Sequence, residues 1–280
     1  MHTQEAEAAL RAGLAEAGVA VEDVRTVFVT HLHPDHIGMA GTLETAGAEV
    51  VMHGPELENA SRMWSRDQRM VDETYVWFEK HGMPQDVDEA MRKSWLEIGR
   101  AVDAVERVTP ASDGDDVDLG GRRVRLQWTP GHTDYHAVLV DGAERVLFAG
   151  DHVLPRITSN VGLYPFSRDD PLGDFLGALR AVGSLPVTRV LPAHGDPFDD
   201  LPGRVNQILE HHDGRLRATL DAIGDGERDA YAICRTLFPV LRSAHEERFA
   251  LAETLAHLRY LERRGKIRGV GHAPIRWSAI

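Results

Sequence analysis

A single cysteine in 280 residues excludes an internal disulfide. Cys234 lies in the apolar, helix-like stretch Ala230-Tyr231-Ala232-Ile233-Cys234-Arg235 and reads as a buried structural thiol, not a reactive one. No run of 18 apolar residues occurs, so no helix of the bilayer-spanning kind is expected. Met1-His2-Thr3-Gln4-Glu5 has neither a basic n-region nor an apolar h-region, and the expectation is a cytoplasmic protein with no membrane partner. Positive charge is also scarce: 31 basic against 44 acidic residues give a net charge of −13, which repels a phosphate backbone and disfavours nucleic acid as a partner. The 42% hydrophobic and 27% charged content suits one large or two modest globular domains with a sizeable core.

Histidine, by contrast, is concentrated. The run Thr30-His31-Leu32-His33-Pro34-Asp35-His36-Ile37-Gly38 follows an apolar, β-branched segment and brings together three histidines and an aspartate. If the strand continues through it, alternation sets His31 and His33 on one face and Leu32 on the other, so two imidazoles grip one ion while the leucine packs inward. Asp35 and His36 then fall on the turn beyond the strand, within reach of a second ion.

Periodicity predicts an Ala-rich helix over 5–17 stopped by Gly18, a buried strand over 24–30, a short helix over 39–46 and a strand over 49–53. Residues 55–107 read as a helical insert carrying Trp64, Tyr75, Trp77, Phe78, Met83, Met91 and Trp95, large apolar side chains expected in a core and, in an enzyme, along a pocket wall. Strands follow over 123–128, 137–140 and 145–149, the last two joined at Asp141-Gly142; a helix over 172–182 and a strand over 189–191 complete a layered α/β domain. Beyond residue 203 come helices over 204–223, 229–237 and 247–264, the last with a Leu251, Leu255, Leu258 and Leu261 stripe. A hairpin of 266–268 with 275–277 makes the arrangement winged-helix-like, with packing favoured over DNA binding at this charge.

Three further residues close predicted strands: His132 in Thr129-Pro130-Gly131-His132-Thr133, Asp151 after Phe148-Ala149-Gly150, and His194 after Leu191-Pro192-Ala193. Strand ends on one rim converge, so ligands distant in sequence can meet there. His53, His136 and the His211-His212 pair are assigned structural or supporting roles.

This H-x-H-x-D-H motif with later His, Asp and His resembles the metallo-β-lactamase-fold hydrolases over most of residues 20–200. The resemblance implies an α/β (α+β) four-layer αββα sandwich, with a catalytic domain at 1–203 containing the insert and a winged-helix-like domain at 204–280. It implies that His31, His33 and His132 hold one metal, Asp35, His36 and His194 a second, and that Asp151 bridges both. Thirty residues precede His31 where family members carry several strands with an Asp-x-Gly signature. The expectation is therefore an N-terminally shortened first sheet, from a later start or a truncation, inviting a homodimer.

Nitrogen and oxygen donors without thiolate suit zinc, with manganese and iron compatible, and two ions lower the pKa of a shared water and polarise a substrate oxygen. Asp35 is the candidate for proton handling, and Tyr164, on the loop after Asp151, the candidate for hydrogen bonding a substrate carbonyl. The expected activity is hydrolysis of a small acyl substrate (thioester, ester or lactone), as in a hydroxyacylglutathione-hydrolase-like or related enzyme. A phosphodiesterase or ribonuclease of the same fold, and an inactive metal-binding form, are the alternatives. The nuclease reading needs a basic track from Arg235, Arg242, Arg248, Arg259, Arg263, Arg264, Lys266 and Arg268, whose interleaved glutamates favour a mixed-charge solvated face.

Overall fold

Alternating burial along each strand determines the layering. In the computed structural model, which describes residues 1–64 and 68–280, strands β1 (Thr26–Val29), β2 (Glu49–His53) and β3 (Val108–Ala111) form a parallel sheet in that order. Strands β4 (Asp116–Leu119), β5 (Arg122–Trp128), β6 (Ala137–Asp141), β7 (Val146–Gly150) and β8 (Arg189–Pro192) form a second sheet in chain order, antiparallel except for the final pair. Val51 and Ala111 from the first sheet meet Val124, Leu126, Ala137 and Leu139 of the second between the two. One residue to either side, the period of two reverses the direction: Val50 and Met52 pack outward against Leu32, Ile37, Ala40 and Ala60.

Helix α1 (Gln4–Glu16) buries no side chain; Thr3 caps it and Gly18, at φ 72°, follows its end. The outward face of the first sheet is covered by α2 (Pro34–Ile37), α3 (Ala40–Thr45) and α4 (Gly54–Trp64). The insert continues as α5 (Gln68–Glu79) and α6 (Gln85–Gly99); its residues 65–67 lie outside the described residues. Val138, Leu147, Ala149 and Val190 form the far face of the second sheet, packed with Leu172, Phe175 and Leu179 of α7 (Pro171–Gly183) and Leu201, Val205 and Ile208 of α8 (Leu201–Ile223). Each of these large side chains contributes about 1.5–3 kcal/mol through burial. The order is helix, sheet, sheet, helix, as expected.

The C-terminal region adds α9 (Ala230–Leu237) and α10 (Ala244–Arg263), with an antiparallel sheet in which β11 (Arg276–Ala279) lies between β10 (Ile267–Val270) and β9 (Arg228–Asp229). The predicted leucine stripe is buried along α10, which packs on α6, α7, α8 and α9. Arg259 and Arg264 pair with Asp169 and Asp170 at 2.8 and 3.0 Å, and Arg263 also meets Asp169, tying this region to the long loop after β7. Cys234 is fully buried, which pushes its thiol up to about 12.

The elements differ from expectation in three places. β1 stops at Val29, so His31 and Leu32 lie in a bend and His33 caps α2; the pleat does not orient them. Pro34 at the first helical position holds His33 extended (φ −64°, ψ 148°) and starts the helix there. The single helix predicted over 39–46 is preceded by a separate turn, α2. β3 and β4 went unpredicted: Pro110 interrupts the strand signal in the former, an edge strand where the missing donor is tolerated, and acids alternate through the latter.

Burial holds His152 and His212 down at about 3 and His81 and His257 at about 4. The unfolded chain, titrating at the ordinary value, binds more protons below pH 6.5, so folding stability is fully present above that pH and lost as the pH falls. Each histidine costs about 1.4 kcal/mol per pH unit in that window. The melting temperature, followed by circular dichroism, is expected to fall steeply between about pH 6.5 and 4.5; a flat profile there would mean these imidazoles become protonated without unfolding.

Candidate metal centre

The bend after β1 and the loop after β5 bring three imidazoles face to face. Nε2 of His31 lies 3.0 Å from Nδ1 of His33 and 3.2 Å from Nε2 of His132. Nδ1 of His132 donates to the Asn160 carbonyl at 2.8 Å, which leaves its Nε2 lone pair facing the other two rings. Burial and the neighbouring imidazoles hold His31 and His33 well below 6.5, and burial lowers His132. Neutral rings are the form that binds a cation.

A second group adjoins the first. Oδ2 of Asp35 lies 3.2 Å from Nε2 of His194 and 3.6 Å from Nε2 of His36. Asp151, at the end of β7, turns Oδ1 to His36 at 3.4 Å and His194 at 3.5 Å, and Oδ2 to His132 at 3.5 Å. One carboxylate thus presents an oxygen to each group. His36 Nε2 and Asp151 Oδ1 are buried without any hydrogen-bond partner. Within each of three overlapping triads, His31-His33-His132, His31-His36-Asp151 and Asp35-His36-His194, the ligand atoms lie within 4.8 Å of one another. Convergent N and O donors, two of them buried without a partner, fit divalent cations. All seven residues named as ligands from the sequence meet here.

Sequence reading missed Glu56. This residue of α4 is fully buried, and its carboxylate accepts from the Leu32 N–H at 2.9 Å, the Thr133 hydroxyl at 2.6 Å and the Tyr135 N–H at 3.2 Å. It thereby pins the bend that carries His31 and His33 to the loop that carries His132. Burial pushes it up to about 7 against the opposing hydrogen bonds from Thr133 and Leu32. His136, assigned a supporting role, has one: its Nε2 accepts the Asp151 N–H at 3.2 Å and its Nδ1 lies 2.7 Å from the Thr129 hydroxyl. A Cβ at Gly150 (φ 49°) would fall 2.6 Å from that Nε2, so only glycine admits this contact. His53 is structural, 2.9 Å from the Tyr135 carbonyl, and His212 is buried against His257 at 3.3 Å.

The cluster opens into a cavity of about 640 Å³. Trp64 and Trp95 from the insert, Leu154 and Ile157 from the loop after Asp151, and Phe249 from α10 supply apolar walls. Tyr164 also lines it, and its hydroxyl accepts from Nη1 of Arg248 at 3.3 Å. The insert and the C-terminal region both enclose the site.

Residues 1–194 match the Metallo-beta-lactamase superfamily, and residues 216–276 match the Metallo-beta-lactamase-like, C-terminal domain. The chain is 27% identical over 271 residues to the protein named probable metallo-hydrolase YqjP of Bacillus subtilis, covering 93% of this chain and 82% of that one. A solved metallo-beta-lactamase family protein from Thermus thermophilus is 35% identical with a TM-score of 0.89, over 99% of this chain and 87% of that one. A beta-lactamase domain protein from Burkholderia ambifaria is 31% identical with a TM-score of 0.81, over 92% and 75%. Motif, layering and end-to-end likeness agree: the chain belongs to the metallo-beta-lactamase superfamily and is a metallo-hydrolase with that family's C-terminal domain.

Proposed function

We propose that this protein hydrolyses a small acyl substrate, a thioester, ester or lactone, at a dinuclear centre. The observation that carries the reading is Asp151, whose two oxygens are divided between two donor groups at one end of a largely apolar cavity. His31, His33 and His132 would hold one cation, and Asp35, His36 and His194 the other. Bound there, two divalent ions, zinc by preference with manganese or iron compatible, supply Lewis acidity and the means to ionise water near neutral pH.

The remaining work belongs to the chain. Asp35 lines the cavity with Oδ2 turned to His194 and His36, leaving Oδ1 to accept the proton of the attacking water. The water oxygen bonds to the acyl carbon, the C–S or C–O bond breaks with its electron pair on the leaving atom, and the proton passes to that atom. Tyr164 accepts from Arg248 and so has its own O–H to donate to the substrate carbonyl. Leu154, Ile157 and the two tryptophans hold the acyl portion and exclude water.

Phosphodiester cleavage is the weaker reading, because Arg235, Arg259, Arg263 and Arg264 are paired with acids instead of forming a track. EDTA is expected to lower thioester or ester turnover by at least about 100-fold, with recovery on adding zinc. Turnover that survives exhaustive chelation would contradict the reading; chelator-sensitive cleavage of RNA alone would favour the nuclease.

A further inference from the structure

Among the described residues, Arg248 is the one arginine or lysine that lines the cavity, and no carboxylate lies within 4.0 Å of its guanidinium. The neighbouring cations differ: Arg215 meets Glu253 at 3.8 Å and Arg235 meets Glu247 at 3.5 Å, besides the pairs with Asp169 and Asp170. Arg204 and Arg228 are also half-buried without a carboxylate, but backbone carbonyls take their donors; among the described residues Arg248 gives a single N–H, to Tyr164.

Its position is nonetheless built. The guanidinium carbon sits 4.7 Å from the Trp95 ring centroid and 4.6 Å from that of Phe249, and Nη1 donates to Tyr164. Two aromatic faces and a hydroxyl orient the fork, while a guanidinium has five N–H donors and the described residues claim one. Phe249 in turn meets the ring of His33, with centroids 6.4 Å apart, so the cation stands two ring contacts from the candidate centre and on the same cavity. A planar fork with free donors on an apolar wall is the arrangement that receives a carboxylate or phosphate in two parallel hydrogen bonds.

We propose that Arg248 binds the anionic end of the substrate, with an apolar segment lying between that end and the bond being cleaved. The inference rests on the acyl-hydrolase reading and narrows it: the substrate is an anionic acyl compound, and the C-terminal region, through α10, selects it.

The test pairs binding with turnover. Hexanoate and adipate each offer one carboxylate to the centre, and adipate alone offers a second to Arg248; 6-phosphohexanoate replaces that second carboxylate by phosphate. Calorimetry on the protein as purified is expected to show adipate or 6-phosphohexanoate bound roughly 10- to 100-fold more tightly than hexanoate, the better of the two identifying the anion. Arg248→Met is expected to collapse that ratio towards one, and Arg248→Lys to retain part of it, with circular dichroism checking that both variants fold. The p-nitrophenyl ester of hexanoate and the mono-p-nitrophenyl ester of adipate should show the same ratio in kcat/KM. Equal affinity for adipate and hexanoate, or a preference unchanged in Arg248→Met, would overturn the proposal while leaving the hydrolase reading intact. An Arg248-dependent binding preference with neither ester cleaved would instead remove the hydrolase reading and keep the anion site.

Discussion

Replacing His33 with alanine is expected to lower kcat/KM on thioester and ester substrates by at least about a thousandfold, or about 4 kcal/mol of transition-state stabilisation. His33 contributes a single ring nitrogen, Nδ1, to a triad with His31 and His132, and no side-chain hydrogen bond caps α2 at that position. Removing the ring therefore deletes one donor of three without taking a partner from the helix. Metal content should fall with activity, while the melting temperature of metal-free protein stays close to that of wild type. Asp35→Ala should separate the two functions that meet on one carboxylate: it weakens the second group and also removes the proton acceptor. Restoring metal by raising its concentration should then recover occupancy more fully than turnover. A His33→Ala variant with wild-type turnover would show that the first triad does not hold the working ion.

Glu56→Ala is expected to weaken metal binding by roughly 10- to 100-fold although Glu56 is not itself a ligand. The substitution leaves the Leu32 N–H, Thr133 hydroxyl and Tyr135 N–H without their common acceptor in a fully buried site. Each orphaned donor costs about 1–3 kcal/mol, so the folded state should lose several kcal/mol as well. Glu56→Gln separates positioning from simple loss of fold. Its carbonyl oxygen still accepts from Leu32 and Thr133, but its NH2 would oppose the Tyr135 N–H, and an intermediate metal affinity is expected. Competition with a chromophoric chelator, alongside thermal melts of the metal-free proteins, checks the order wild type, Gln, Ala. Equal affinities across the three would contradict the role assigned to Glu56 in joining the two ligand loops.

The ligand set was legible because its chemistry is carried by residue type at strand ends. His31, His33, Asp35 and His36 lie within six positions, and His132, Asp151 and His194 each follow a strand signal that becomes β5, β7 or β8. The same reading erred on orientation, since β1 stops at Val29 and the rings converge from the bend between it and α2. Glu56 was illegible for a definite reason. An acid in the first turn of a helix is ordinary on electrostatic grounds, and only the fold discloses that its carboxylate faces inward to three donors from two distant loops. Arg248 was hidden similarly, in a segment where Glu246 and Glu247 suggested a solvated mixed-charge face. In three dimensions Glu247 turns to Arg235 and Tyr231, leaving Arg248 to the aromatic wall. β3 and β4 were lost because a proline and alternating aspartates mask short strands whose pairing depends on neighbours elsewhere in the chain.

The measurement that bears most directly on the central claim is turnover of a thioester and ester panel by metal-free protein as zinc is added in counted equivalents. The account predicts activity that rises with added metal and levels off at two equivalents per chain, in step with elemental analysis. Saturation of the protein with zinc and no hydrolysis of any acyl substrate, or activity complete at one equivalent, would contradict it.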